Sequence, residues 1–185
     1  GRRPIRDHDP FGRLTLGQVL EVSSNIGIAK FCQQLEPGEL HETLQRLGLG
    51  QETGIDLPAE SPGRLPAPGA WRGRDKLVIP FGYGLSTTVL QLASAYSVIA
   101  NGGYRVQPHI GLHRAGPDGR LHALSRRPAR PTRVLPARAA ERVHGWLGRV
   151  ISGERGTGAA AALDGYSAGG KTGTAERATA HGYSS

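Results

Sequence analysis

The chain has 185 residues with 28 Gly, 13 Pro and 37% hydrophobic residues, which suits one ordinary globular domain or a large piece of one and excludes collagen-like and fully disordered chains. Its net charge of +8 is uneven, because residues 1–60 hold six basic against nine acidic groups while Arg105 to Arg155 spans eleven Arg and three acids. A single Cys32 excludes an internal disulfide and any paired-cysteine zinc spacing, and no apolar run approaches the roughly 18 residues of a membrane span.

The chain has no Met and opens Gly1-Arg2-Arg3-Pro4, so it is expected to be an excerpt of a longer protein. Thr15 followed by Gln18 is a capping box, and Leu16, Val19 and Leu20 supply the i, i+3, i+4 stripe of a first helix. Ser23-Ser24-Asn25 interrupts it. Ser24 and Asn25 are N-cap types, and Ile28, Phe31, Cys32 and Leu35 then repeat at helical spacing, so the three polar residues occupy a joint between two helices. Leu40, Leu44 and Leu47, closed by Gly48, predict a short third helix. Residues 48–76 contain Pro58, Pro62, Pro66 and Pro68 and are expected to be an irregular loop, as are residues 125–135. Thr88 with Gln91 opens a further helix whose Leu92, Ala95, Tyr96 and Ile99 face one side until Asn101-Gly102-Gly103. Residues 104–124 read as a strand pair around the turn Gly116-Pro117-Asp118-Gly119. Pro136 begins a last helix, with Val143, Trp146, Leu147, Val150 and Ile151 on one face and Gly153 at its end.

Gly165 to Thr172 matches the phosphate-loop pattern G-x-x-x-x-G-K-[ST], but such a loop needs a buried strand before it and a helix starting at the Lys-Thr. Ala159 to Ala162 precede it and Gly173 follows, so nucleotide binding is not expected. Read as an edge strand, Lys171-Thr172-Gly173-Thr174 puts Lys171 and Gly173 on one face and Thr172 and Thr174 on the other. The missing side chain at Gly173 would let a peptide backbone pair closely, while an ammonium and two hydroxyls bind a carboxylate. The plainer reading is a loop with a solvated Lys. His109 and His113 are four apart, but on a strand they stand some 13 Å apart at ~3.3 Å per residue, so no metal is expected. Only Trp146 interleaves the Arg-rich stretch, too few aromatic platforms for nucleic acid.

Ser23-Ser24-Asn25 and Lys171-Thr172-Gly173 resemble the S-x-N and K-T-G motifs of penicillin-recognising serine enzymes. Phe81-Gly-Tyr-Gly-Leu85, Leu90 to Tyr96 and Ile99-Ala-Asn-Gly-Gly103 look like class B penicillin-binding protein transpeptidases, closest to the septal, cell-division type. Gly54 to Pro58 and Gly156-Thr157-Gly158 sit where that family has similar segments, and the resemblance runs from about Leu14 to Glu176. It implies an enzyme in which a Ser attacks the D-Ala-D-Ala carbonyl of a peptidoglycan stem peptide and the acyl group passes to a neighbouring amine, with β-lactams as mimics. By this resemblance Ser23 would relay protons between lysines, and Asn25 would hold the substrate amide and orient the base. Lys171 would supply positive potential, Thr172 and Thr174 would bind the terminal carboxylate beside Gly173, and the Thr174 N–H would form half of an oxyanion hole. Phe81 and Tyr83 would line the pocket.

The lysines are Lys30, Lys76 and Lys171, preceded at three positions by Gly27, Gly73 and Ala168, so the chain contains no S-x-x-K, the motif that supplies nucleophile and base. The expectation is therefore residues 1–185 as a partial transpeptidase domain, α+β, with helices packed on an antiparallel sheet, without cofactor and inactive alone. The resemblance implies stem peptides, β-lactams and division-complex membrane proteins as partners, and a parent anchored in the bacterial inner membrane with this region outside the cytoplasm. The alternatives are a degenerate, non-catalytic peptide-recognition module and an Arg-rich nucleic-acid-binding domain.

Overall fold

A computed structural model describes residues 4–123 and 130–173, and the backbone of two strands at 177–179 and 182–184. The fold is α+β, and among the described residues the strands form three separate two-stranded antiparallel ladders rather than one sheet. The chain divides into two compact units.

The first unit comprises residues 1–37, 71–84 and 142–185. Helix α1 (Leu16–Glu21) starts at the expected capping box, with the Thr15 side chain accepting from the Gln18 N–H. Its most buried residues are Gly17 and Val19, and the reason is close approach: a Cβ at Gly17 would stand 2.7 Å from the Trp146 indole nitrogen. Helix α2 (Asn25–Cys32) is capped by Ser24, whose Oγ accepts from the Gly27 N–H at 2.8 Å. It buries Ala29 and Cys32, while Phe31 of the expected stripe is 41% exposed. Burial pushes the Cys32 thiol up, against a smaller downward pull from Lys76. The far end of α2 is closed by Lys76, whose ammonium donates to the Gln33 carbonyl at 3.0 Å, and Lys76 belongs to a short helix that packs on α2.

The second unit comprises residues 38–70 and 85–141. Most of α3 (Pro37–Arg46) lies in it, and Gly48 follows at φ 100°, the left-handed C-terminal geometry its position predicts. The Asp75–Val78 segment of the first unit is helical and is α4 in chain order. Helix α5 (Val89–Ala100) opens at the Thr88–Gln91 capping box, but it buries Gln91, Ala95 and Val98 instead of the Leu92, Tyr96 and Ile99 face. The face turns by one residue because the fully buried Gln91 amide donates to the carbonyls of Gln51 (2.7 Å) and Pro62 (2.8 Å). Carboxylates also hold the proline-rich stretch. Glu60 accepts from the Thr53 N–H, the Thr53 hydroxyl and the Gly54 N–H, and Asp56 from Ile110 and Gly111. The Thr53 hydroxyl and these N–H groups hold the Glu60 carboxyl below its ordinary range.

Strand β1 (Tyr104–Arg105) pairs with β4 (Thr132–Arg133), and β2 (His113–Ala115) with β3 (Leu121–Ala123), the hairpin predicted around residues 116–119. Thus β4 falls within the stretch 125–135 expected to be irregular, of which residues 125–129 lie outside the described residues. A turn of 3-10 helix, Pro68–Ala70, interrupts the 48–76 loop, and α4 begins at Asp75 inside its expected end. Helix α6 (Ala137–Ser152) carries Leu147, Val150 and Ile151 into the core of the first unit. Strands β5 (Arg177–Thr179) and β6 (Gly182–Ser184) pair antiparallel.

Candidate active site

The first unit brings the two polar motifs together. After α1, Val22 caps the helix and the chain reverses at Ser23, which sits at φ 57°, a left-handed conformation that costs an L residue about 1–2 kcal/mol. The Ser23 N–H reaches the Leu20 carbonyl and the Ser24 N–H the Val19 carbonyl, so the reversal is closed by backbone bonds before α2 starts. Ser23 Oγ accepts a hydrogen bond from Lys171 Nζ at 2.6 Å, across 148 residues of sequence.

Lys171 comes to this place through α6. The chain leaves the helix at Gly153 and folds back along it, with the Gly158 N–H donating to the Val150 carbonyl and the Gly170 N–H to the Leu147 carbonyl. A Cβ at Gly156 would stand 2.5 Å from the Val150 carbonyl oxygen, so only Gly allows this approach. Thr157 is thereby set to share a hydrogen bond with Thr172, Oγ1 to Oγ1, at 2.8 Å. Lys171 Nζ also donates to the Thr172 carbonyl (3.0 Å) and to its hydroxyl (3.3 Å).

The ammonium is half-buried among neutral acceptors, and no carboxylate stands in ion-pair distance of it among the described residues. Burial lowers the Lys171 pKa from its ordinary value, because the charged form loses hydration. The cluster therefore combines a positive group of reduced proton affinity with three hydroxyls, those of Ser23, Thr157 and Thr172. Such a set can bind an anion and can pass a proton between oxygen and nitrogen.

The other expected site residues are placed as follows. Asn25 is the first residue of α2, and its Nδ2 donates to the Arg6 carbonyl at 3.2 Å. Phe81 and Tyr83 stack edge to face with centroids 5.7 Å apart, in and just after a 3-10 turn (Ile79–Phe81) that packs on α2. Gly173 is exposed. Thr174 lies outside the described residues. The strand expected from Lys171 onward is not formed across 171–173, where Lys171 folds its amine onto Thr172 and Ser23 instead of lying on an open strand face. No helix begins at Lys171 either, which removes the phosphate-loop reading.

Sequence reasoning missed Asp7. Its carboxylate accepts from Ser24 Oγ at 2.7 Å and from the Ile26 N–H at 2.9 Å. No spacing rule links a residue 17 positions upstream to a helix cap. Thr157 was visible only as the centre of a Gly-Thr-Gly segment. A hollow of about 850 Å³ lies beside the cluster's second helix, walled by Asp7, Phe11, Leu14, Ile26, Lys30 and Phe31, and neither Ser23 nor Lys171 lines it.

The family model described as "Penicillin binding protein transpeptidase domain" matches residues 1–185. The chain is 38% identical over 164 residues to the penicillin-binding protein PbpB of Mycolicibacterium smegmatis, covering 86% of this chain and 25% of the relative. It is 33% identical over 174 residues to the peptidoglycan D,D-transpeptidase FtsI of Escherichia coli, covering 94% and 27%. The solved penicillin-binding protein 3 of Mycobacterium tuberculosis complexed with ampicillin superposes with a TM-score of 0.86 at 36% identity, covering 97% of this chain and 41% of that one. The chain thus spans about a quarter of the length of these two curated relatives.

Proposed function

The chain belongs to the penicillin-binding protein transpeptidase family, and from that premise we propose that it forms part of a peptidoglycan D,D-transpeptidase that cross-links stem peptides through an acyl-serine and is acylated by β-lactams. The observation that carries the reading is the 2.6 Å contact between Lys171 Nζ and Ser23 Oγ, which joins the two motifs at one point. A proton taken from an attacking serine can pass along this hydroxyl to Lys171 Nζ when that amine is unprotonated, the form toward which burial shifts it.

In the proposed arrangement Ser23 relays the proton, and Asn25 offers its second amide N–H and its carbonyl oxygen to the substrate amide. Lys171, Thr172 and Thr174 attract and bind the terminal carboxylate beside Gly173, and the Thr174 N–H donates to the developing oxyanion. Phe81 and Tyr83 supply apolar wall. The nucleophile and its base would come from an S-x-x-K elsewhere in the full protein. Division-complex membrane proteins are the proposed partners, with an inner-membrane anchor outside this chain and this region outside the cytoplasm. Among the described residues no helix is long and apolar enough to cross a membrane.

Fluorescent penicillin tests the reading on the full-length protein. Stoichiometric covalent labelling that survives denaturation is expected, with Lys171→Ala reducing its rate by at least about a hundredfold, the order of removing a central electrostatic group. The 185-residue chain alone should remain unlabelled. Full-length protein that binds stem peptide reversibly and takes no label would instead identify a non-catalytic recognition module.

A further inference from the structure

The Ser23 reversal is held from outside by a segment of the chain that precedes both helices. Asp7 spans the joint with both oxygens: Oδ2 receives the Ser24 hydroxyl at 2.7 Å, and Oδ1 receives the Ile26 N–H at 2.9 Å. Ser24 is 3% exposed, and its oxygen also accepts from the Gly27 N–H, so its position is fixed on two sides. One residue earlier, the Arg6 carbonyl takes the Asn25 amide at 3.2 Å. The outer residues of the Ser-Ser-Asn triplet, Ser23 and Asn25, flank the residue that Asp7 grips. The left-handed backbone of Ser23, which no glycine relieves, persists only where neighbours over-determine it.

We propose that Asp7 is a positioning residue of this site: by anchoring Ser24 and Ile26 it holds the joint so that Ser23 Oγ meets Lys171 Nζ. Asp7 does not touch the reacting atoms. Its action passes through Ser24 to Ser23, and the two charge-assisted bonds suit that task because they are short and directional. The catalytic consequence rests on the transpeptidase reading, whereas the positioning itself does not.

Two measurements on the full-length protein separate these. The first is the acylation rate constant at saturating penicillin against the dissociation constant of the preceding complex. Asp7→Ala should lower the rate constant by about 10- to 100-fold, the scale of an ångström-sized misplacement, with the dissociation constant changing by less than about threefold. Asp7→Asn keeps the acceptor for Ile26 and should fall between Asp7→Ala and the unaltered protein. Asp9→Asn, which removes a neighbouring exposed charge, should change nothing.

The second is the rate at which the Lys171 amine is acylated by a succinimidyl ester, read by peptide mass. Release of Ser23 should raise it at least about threefold in Asp7→Ala. If Asp7→Ala fails to fold, Asp7→Asn decides, with a loss of at least about threefold expected in acylation. Unaltered protein that takes no penicillin would defeat the transpeptidase reading, and the Lys171 labelling would still judge the positioning. A folded Asp7 variant with unchanged Lys171 labelling and an acylation rate constant within about twofold would overturn the proposal.

Discussion

Lys171 shows how a single side chain acquires its chemistry from where the backbone puts it. The same ammonium on an open strand would be hydrated, but here it is half-buried against the Ser23 hydroxyl and the carbonyl and hydroxyl of Thr172. Because the folded pKa is depressed, the native state binds fewer protons than the unfolded chain between the lowered value and the ordinary lysine range. The group's contribution to stability is therefore present above the ordinary value and lost as pH falls through the lowered one. Competitive labelling of Lys171 should reach its half-maximal rate at a lower pH than a free lysine amide does, and an equal or higher midpoint would contradict the burial argument. Ser23 and Lys171 were legible as motif residues in the sequence. Asp7 was not, since its role depends on a segment folding back over a helix cap.

At the scale of elements, boundaries were easier to read than faces. Capping boxes at Thr15 and Thr88 start α1 and α5, because local side-chain to backbone bonds need only neighbours three residues away. The buried faces answer to partners instead. Gln91, in the first turn of α5, is buried because four hydrogen bonds fix its amide: two donated to Gln51 and Pro62, and two accepted from the Thr88 N–H and the Thr87 hydroxyl. Gln91→Leu would leave these groups unpaired at roughly 1–3 kcal/mol each where water cannot reach. Amide exchange in residues 51–63 should then accelerate by at least about tenfold. Exchange at the rate of the unaltered protein would mean that the loop is held by Glu60 and Asp56 alone. Gly156→Ala belongs to the same scale. Its Cβ meets the rigid Val150 carbonyl oxygen, so Thr157 and Thr172 should separate and penicillin acylation should slow.

For the whole molecule, composition and charge left the partner class open. The candidate site lies wholly within one of the two units, assembled from residues 23, 157 and 171–172. Several large apolar side chains remain exposed, among them Val89 at 86%, Tyr166 at 79%, Leu121 at 72% and Leu112 at 65%. The isolated 185-residue chain should accordingly self-associate at micromolar concentration. Sedimentation velocity should report species heavier than 19.6 kDa, and a clean monomer would refute this.

The sequence alone determined where α1, α2 and α5 start and where the hairpin turns, because each is written in contiguous residues whose local bonding is short-range. Only the tertiary structure decided that Lys171 folds inward rather than lying along a strand, that Gln91 displaces the apolar stripe of α5, and that Asp7 grips the serine joint. Each of those outcomes depends on two groups, from 17 to 148 residues apart in the chain, meeting at one place, a condition no periodicity encodes.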